Sequence, residues 1–218
     1  MRLRLLLTTL FLCSTLYAAN DTLHQICEEI DRHYDRLGSM KANFDESYQG
    51  AGFSRHESGV LLLKRSGKMR WEYNRPRPKL FITNGKTAYF YVPGEREARK
   101  TNVNNLDDLR SPLRYLLGKA KLEKEFKGLS LDSSQAPMNA GDRILRGVPV
   151  KMGDQISDVE LEVNDRYQIV RIAITGQDGS RTEFRFGNLE ENAKIDDRSF
   201  DFTLPAGVEV VEGTSFGP

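Results

Sequence analysis

The stretch from Lys64 to Pro93, K-R-S-G-K-M-R-W-E-Y-N-R-P-R-P-K-L-F-I-T-N-G-K-T-A-Y-F-Y-V-P, constrains the fold more than any other part of the chain. Met69, Trp71 and Tyr73 alternate with Arg70 and Glu72, so a strand there sets large apolar side chains on one face and charges on the other. An Asn84-Gly85 turn and a second aromatic strand, Thr87 to Tyr91, follow at once. Two such neighbours either build an ordinary core or line a cavity for a greasy ligand.

The period of two continues on both sides. Ala42, Phe44, Glu46 and Tyr48 alternate with polar neighbours, and a turn at Gly50 and Gly52 leads into a strand over His56 to Lys64. Within it Val60 to Leu63 are continuously apolar, which predicts cover on both faces. Further strands are predicted over Asp142–Val150, Asp158–Val163, Ile169–Thr175 and Arg181–Leu189, with a last extended piece at Val208 and Val210. Asn164-Asp165 and Asp178-Gly179 supply turns between them.

Two segments switch to helical spacing. Asp21 or Thr22 caps a helix whose apolar stripe is Leu23, Ile26, Cys27, Ile30, Tyr34 and Leu37, with Gly38 closing it. Its Glu28, Glu29, Asp31 and Arg32 read as a solvated face. Leu106, Leu109, Leu113, Leu116 and Leu117 recover the same spacing, but Ser111-Pro112 is a cap followed by a first-turn proline, so two short helices meet there. Lys119 to Phe126 either prolongs the second or connects onward. The expectation is a mainly β, α+β fold: a large antiparallel sheet of about ten strands curled into an incomplete barrel, its helices against the open side.

Arg2 and Arg4 precede an apolar run from Leu5 to Leu12, and small residues follow at Ala18 and Ala19. This predicts a secretory signal peptide over residues 1–18 and one domain over 19–218. The run is shorter than the roughly 20 residues that span a bilayer. Cys13 follows Leu12 rather than a small residue, which argues against a lipid-attachment cysteine. Without the signal Cys27 stands alone, so no intramolecular disulfide is expected and Cys27 reads as a buried small hydrophobe. The chain has 32 Lys and Arg against 31 Asp and Glu, and loss of Arg2 and Arg4 brings the net charge to −1. That balance argues against a nucleic-acid binder.

Catalytic and metal chemistry find little support. His24 and His33 lie nine residues apart, which does not match the i, i+4 zinc pair, and no nucleophile elbow, P-loop or dinucleotide fingerprint occurs. The adjacent carboxylates Glu28-Glu29, Asp107-Asp108 and Glu190-Glu191 diverge on regular elements. No enzyme, metal or cofactor is expected. The basic residues Arg70, Arg75, Arg77 and Lys79 either attract an anionic head group or protect a solvated sheet edge.

Several segments in order carry a resemblance. They are Leu37-Gly38-Ser39-Met40-Lys41-Ala42-Asn43-Phe44 after the first helix, Gly59 followed by K-R-S-G-K-M-R-W-E-Y, and Asn84-Gly85-Lys86 with Tyr89-Phe90-Tyr91-Val92-Pro93. Ser111-Pro112 before a leucine-rich helix and the closing F-D-F-T-L-P-A-G-V-E-V complete the set. Together they resemble the periplasmic carrier of outer-membrane lipoproteins, the LolA family, over nearly all of the chain beyond the signal. The resemblance implies an incomplete barrel whose apolar cavity is closed by a helical lid and carries the acyl chains of a lipoprotein across the periplasm. It implies as partners acylated lipoproteins, an inner-membrane ABC release complex and an outer-membrane acceptor, with the protein acting as a monomer.

By position, the family's lid-tethering arginine falls on Arg65 and its cavity aromatic on Met69. Ser66 stands where the family usually has proline, and Met69 replaces the bulky ring. The expected cavity wall is Phe44, Met69, Trp71 and Tyr73 with Ile26 and Ile30, and the expected inner face of the lid is Leu113, Leu116 and Leu117. Each acyl CH₂ withdrawn from water is worth about 0.8 kcal/mol, so a multiply acylated cargo needs a shielded interior to cross an aqueous compartment. The rival readings are a carrier of another lipid or glycolipid, and an envelope-stress sensor that binds lipoproteins. Such sensors commonly add a second domain, for which a chain ending at Pro218 leaves no room.

Overall fold

The computed structural model describes residues 21–103, 116 and 121–213. The expected signal peptide, the Ser111-Pro112 junction, Leu113 and Leu117 lie outside the described residues. The described chain opens with helix α1 (Leu23–Arg36) and continues through strands β1 (Ser39–Gly50), β2 (Phe53–Lys64), β3 (Lys68–Arg75), β4 (Lys79–Asn84), β5 (Thr87–Tyr91) and β6 (Glu97–Asn102). A short helix α2 (Leu122–Glu125) leads into β7 (Phe126–Leu131), β8 (Arg143–Pro149), β9 (Ile156–Val163), β10 (Ile169–Gly176) and β11 (Arg181–Glu191). A 3₁₀ turn (Asp197–Phe200) and β12 (Glu209–Glu212) follow.

All these strands share one sheet, in the order β12-β6-β5-β4-β3-β2-β1-β11-β10-β9-β8-β7. The sheet is open, with β12 and β7 at its two ends. Pairing of β1 with β11 joins an N-terminal wing to a C-terminal one. One pairing departs from the antiparallel expectation: β12 runs parallel to β6, because the chain returns across the outer face of the sheet before reaching that edge.

Hairpin chemistry explains the local order. Ala51 (φ 48°) and Gly52 (φ 80°) form a two-residue turn with both residues left-handed, the conformation whose twist matches paired strands. In the three-residue connection between β2 and β3, Ser66 (φ 71°) and Gly67 (φ 77°) are again both left-handed. A proline cannot adopt φ of 71°, so the serine departure from the family pattern has a backbone reason.

α1 begins at a capping box: Thr22 Oγ1 accepts from Gln25 N, and the Gln25 side chain accepts from Thr22 N at 2.8 Å. It ends at Arg36, and Leu37 is extended. Ile26, Cys27, Ile30 and Tyr34 are buried against both wings, in one cluster with Leu61, Leu63 and Trp71 on one side and Leu161, Ile172 and Ile174 on the other. The sheet therefore wraps around α1, and each fully buried aliphatic chain contributes roughly 1.5–3 kcal/mol. Tyr34 also accepts a hydrogen bond from Ile169 N at 2.9 Å, where β10 begins.

Both faces of β2 are in fact covered, unequally: Leu61 and Leu63 are buried, while Val60 and Leu62 are half-buried. On the outer face Phe200 is buried and Phe202 stacks on Tyr89 with centroids 4.8 Å apart. The solvated reading of the polar face of α1 holds for Glu28 and Arg32, which are exposed, and fails for Asp31. Asp31 accepts from Leu122 N at 3.1 Å and so caps α2, Lys121 pairs with Asp35 at 2.7 Å, and His24 meets Glu123 at 2.9 Å. The ambiguous segment after Lys119 resolves into α2 and then β7, a strand absent from the sequence reading.

Candidate functional site

The concave face is built by alternation along β1, where Met40, Ala42, Phe44 and Glu46 point inward and are all buried, while Lys41, Asn43 and Asp45 are exposed. Register carries this row sideways: Ala42 faces Leu61, Leu61 faces Trp71 and Trp71 faces Phe81. Phe44 faces Phe186 on the other wing. The ring of Phe44 meets Trp71 edge-on at 4.6 Å and Tyr73 at 4.9 Å, and Trp71 meets Phe184 at 5.5 Å. Trp71 Nε1 donates to Met69 Sδ, so the methionine at the expected aromatic position partners the tryptophan.

Of the residues expected on a cavity wall, Phe44, Met69, Trp71, Ile26 and Ile30 fall in the one buried cluster, and Tyr73 packs against it half-buried. Leu116 joins that cluster at 2% exposure. Cys27 lies there too, its thiol pushed up to about 12 by burial, which leaves it a protonated, inert hydrophobe. This single interior, assembled from both wings, α1 and Leu116, is the candidate site.

Arg65 sits in the β2–β3 turn and reaches the end of α1. Its Nε donates to Leu37 O at 3.0 Å, and its guanidinium also donates to Asp35 O. Asn192 Oδ1 accepts from Gly38 N at 2.9 Å beside it, and His33 contacts Glu191 at 2.7 Å. The partners of Arg65 thus lie in the last turn of α1 and the two residues that follow it, and α1 is the helix that covers the concave face.

The basic residues do not converge. Arg70 faces outward and pairs with Glu72 at 2.8 Å, Lys79 faces inward and pairs with Glu57 at 2.6 Å, and Arg75 and Arg77 are exposed. Sequence reasoning missed a different cluster. Glu46 and Glu57, eleven residues apart, are direct cross-strand partners on the concave face, both almost fully buried. Tyr73 donates to Glu46 at 2.8 Å, Arg55 Nε lies 3.0 Å from Glu57, and Lys79 sits over the Tyr73 ring at 4.3 Å. Burial raises the Glu46 carboxyl above its usual range, the neighbouring Glu57 adds to this, and Tyr73, Lys79 and Arg55 oppose it. The signal for Glu46 was present in the period-two row of β1; its partner depended on register.

A second polar cluster lies on the convex face. Arg171 contacts Glu162 at 2.8 Å, Glu160 at 3.0 Å and Glu183 at 3.3 Å, and Met138 N from the covering segment donates to Glu162. Desolvation lowers the Arg171 guanidinium's affinity for its proton, and the three carboxylates more than reverse that.

A family model described as outer membrane lipoprotein carrier protein LolA matches residues 35–203. A curated outer-membrane lipoprotein carrier protein from Chromobacterium violaceum is 27% identical over 80% of this chain and 82% of its own length. One from Bordetella avium is 30% identical over 72% of this chain and 71% of its own. Among solved structures, a LolA superfamily protein from Nitrosomonas europaea gives a TM-score of 0.47 at 11% identity, covering 84% of this chain and 98% of that one.

Proposed function

Because this chain belongs to the LolA family of outer membrane lipoprotein carrier proteins, we propose that it binds the acyl chains of lipoproteins in its concave interior and carries them through the periplasm. The observation that carries this reading is the assembly of α1 and both wings of an open sheet around one continuous apolar interior. An open sheet with a helix across its mouth can expose that interior by a shift of the helix, without breaking strand pairing. An acyl chain then replaces side-chain contacts with its own at little net cost, which suits a carrier that has to release its cargo.

In this reading Phe44, Met69, Trp71 and Tyr73 form the wall, Ile26 and Ile30 complete it from α1, and Leu113, Leu116 and Leu117 form the inner face of the lid. Arg65 holds the cover by clasping the carboxyl end of α1. Residues 1–18 act as a cleaved secretory signal, and the remaining chain works as a monomeric, non-enzymatic carrier. An inner-membrane ABC complex loads it and an outer-membrane acceptor unloads it.

The test is mass spectrometry of the species that co-purify with the protein from the periplasm of its native host. Triacylated lipoprotein at near-equal stoichiometry is the expected result. Recovery of phospholipid or glycolipid alone reassigns the cargo, and recovery of no lipid at all defeats the reading.

A further inference from the structure

The inward row of β1 runs Met40, Ala42, Phe44 and then changes character at Glu46. Glu46 and Glu57 close a ring with their neighbours: Tyr73 bonds Glu46, Arg55 approaches both carboxylates at 3.7 and 3.0 Å, Lys79 pairs with Glu57 at 2.6 Å, and Lys79 returns over the Tyr73 ring. The carboxylate side chains are 8% and 5% exposed and the Lys79 side chain 12%. Two carboxylates face two cations, so the ring is balanced in charge, while Arg55 Nε is buried beside Glu57 without a well-aligned hydrogen bond.

Such a ring is an odd way to finish a core. A buried ion pair is seldom more stable than packed apolar groups of the same volume, whereas removal of one partner is strongly destabilising. Stability alone therefore gives no reason for charges at this place. The opposite wing stays apolar at the same level, where Phe184 is the partner of Glu46 and Ile172 is the partner of Phe184.

Resting on the acyl-binding reading above, we infer that this ring is a chain-length stop for the bound acyl group. A hydrocarbon chain lying along β1–β4 meets apolar and aromatic side chains as far as Phe44 and Tyr73. Two residues further, about 7 Å along the strand, it meets groups it can neither hydrogen-bond nor displace without separating ion pairs in a dry site. Glu46, Glu57, Arg55 and Lys79 thus determine specificity by ending the apolar surface, and Tyr73 joins the two regions, its ring on Phe44 and its hydroxyl on Glu46.

The experiment compares the full mature protein with the double variant Glu57→Leu/Lys79→Met, which removes one charge of each sign and leaves Glu46 with Tyr73 and Arg55. Both are titrated with synthetic triacylated lipopeptides that share a head group and differ only in acyl length, with the fluorescence of Trp71, the sole tryptophan, as readout. The wild type is expected to bind more tightly with each added carbon up to a limit and then level off. In the variant the rise continues past that limit, by about fourfold for each further methylene buried. The same limit in both proteins overturns the stop and leaves the carrier reading standing. A wild type that binds no lipopeptide of any length overturns both. Should that variant fail to fold, Glu46→Met/Arg55→Met removes the other charge pair and leaves Glu57 with Lys79; its limit is expected to move the same way, and an unmoved limit overturns the inference.

Discussion

Arg65 Nε lies 3.0 Å from the carbonyl oxygen of Leu37, so a turn of the sheet caps the helix that covers the sheet. The last carbonyls of a helix have no partner within it and carry its negative dipole end, which a guanidinium satisfies in both respects. Arg65→Ala is expected to destabilise the protein by about 1–2 kcal/mol, with the loss concentrated in α1. Amide hydrogen exchange checks this: faster exchange confined to α1 and Leu37 is the expected pattern, and uniform acceleration through the sheet would contradict it.

Trp71 is 2% exposed and touches Phe44, Phe184 and Phe186. Trp71→Glu is expected to abolish binding of acylated lipoprotein, because a carboxylate there is costly to bury and opposes any hydrocarbon beside it. Trp71→Phe keeps an aromatic wall and is expected to lose less than tenfold in affinity. Pull-down of a purified lipoprotein, with thermal unfolding of each variant as the folding control, separates the two; equal binding by both would remove Trp71 from the wall.

Gly59 faces Phe44 on one side and Tyr73 on the other, at a register shift. A Cβ at this position would lie 1.9 Å from the carbonyl oxygen of Glu72. Gly59→Ala is expected to cost about 1–3 kcal/mol, since backbone rather than a flexible side chain has to yield. A urea titration that shows an unchanged midpoint would refute the close approach.

Glu162 is fully buried and bound to Arg171. Glu162→Ala leaves the guanidinium with two carboxylates and strips Met138 N of its acceptor, for an expected loss of about 3 kcal/mol. Glu162→Gln keeps an acceptor and is expected to lose less. Denaturant unfolding of the pair measures the difference.

Asp197 is held down to about 2 by hydrogen bonds from Lys64 and Lys68. A carboxylate depressed by folding stabilises the folded state above its unfolded value of 3.8, and that contribution disappears as pH falls through about 2. Asp197→Asn is therefore expected to melt below the wild type at pH 6 and together with it at the acid end of this window. Parallel melting curves across the range would show that the two lysines do not stabilise the ionised form.

Much of the architecture was legible because alternation and helical spacing are local. The stripe of Ile26, Cys27, Ile30 and Tyr34 marked α1, and the row Met69, Trp71, Tyr73 marked an inward face. β7 was not legible, since F-K-G-L-S-L has no clean alternation and bends at Gly128 (φ 63°) with a shift of register against β8. Asp31 read as surface because nothing on α1 announces that Leu122 will arrive beside it.

By itself the sequence determined which side chains share a face, because a strand repeats every two residues and a helix every 3.6 whatever else the chain does. Tertiary structure alone decided which faces meet. Register set Glu46 opposite Glu57, the return of the chain over the outer face laid β12 parallel to β6, and the β2–β3 turn delivered Arg65 to the end of α1. Each of these joins residues far apart in sequence, and their contact depends on the simultaneous packing of many elements rather than on the pattern of any one.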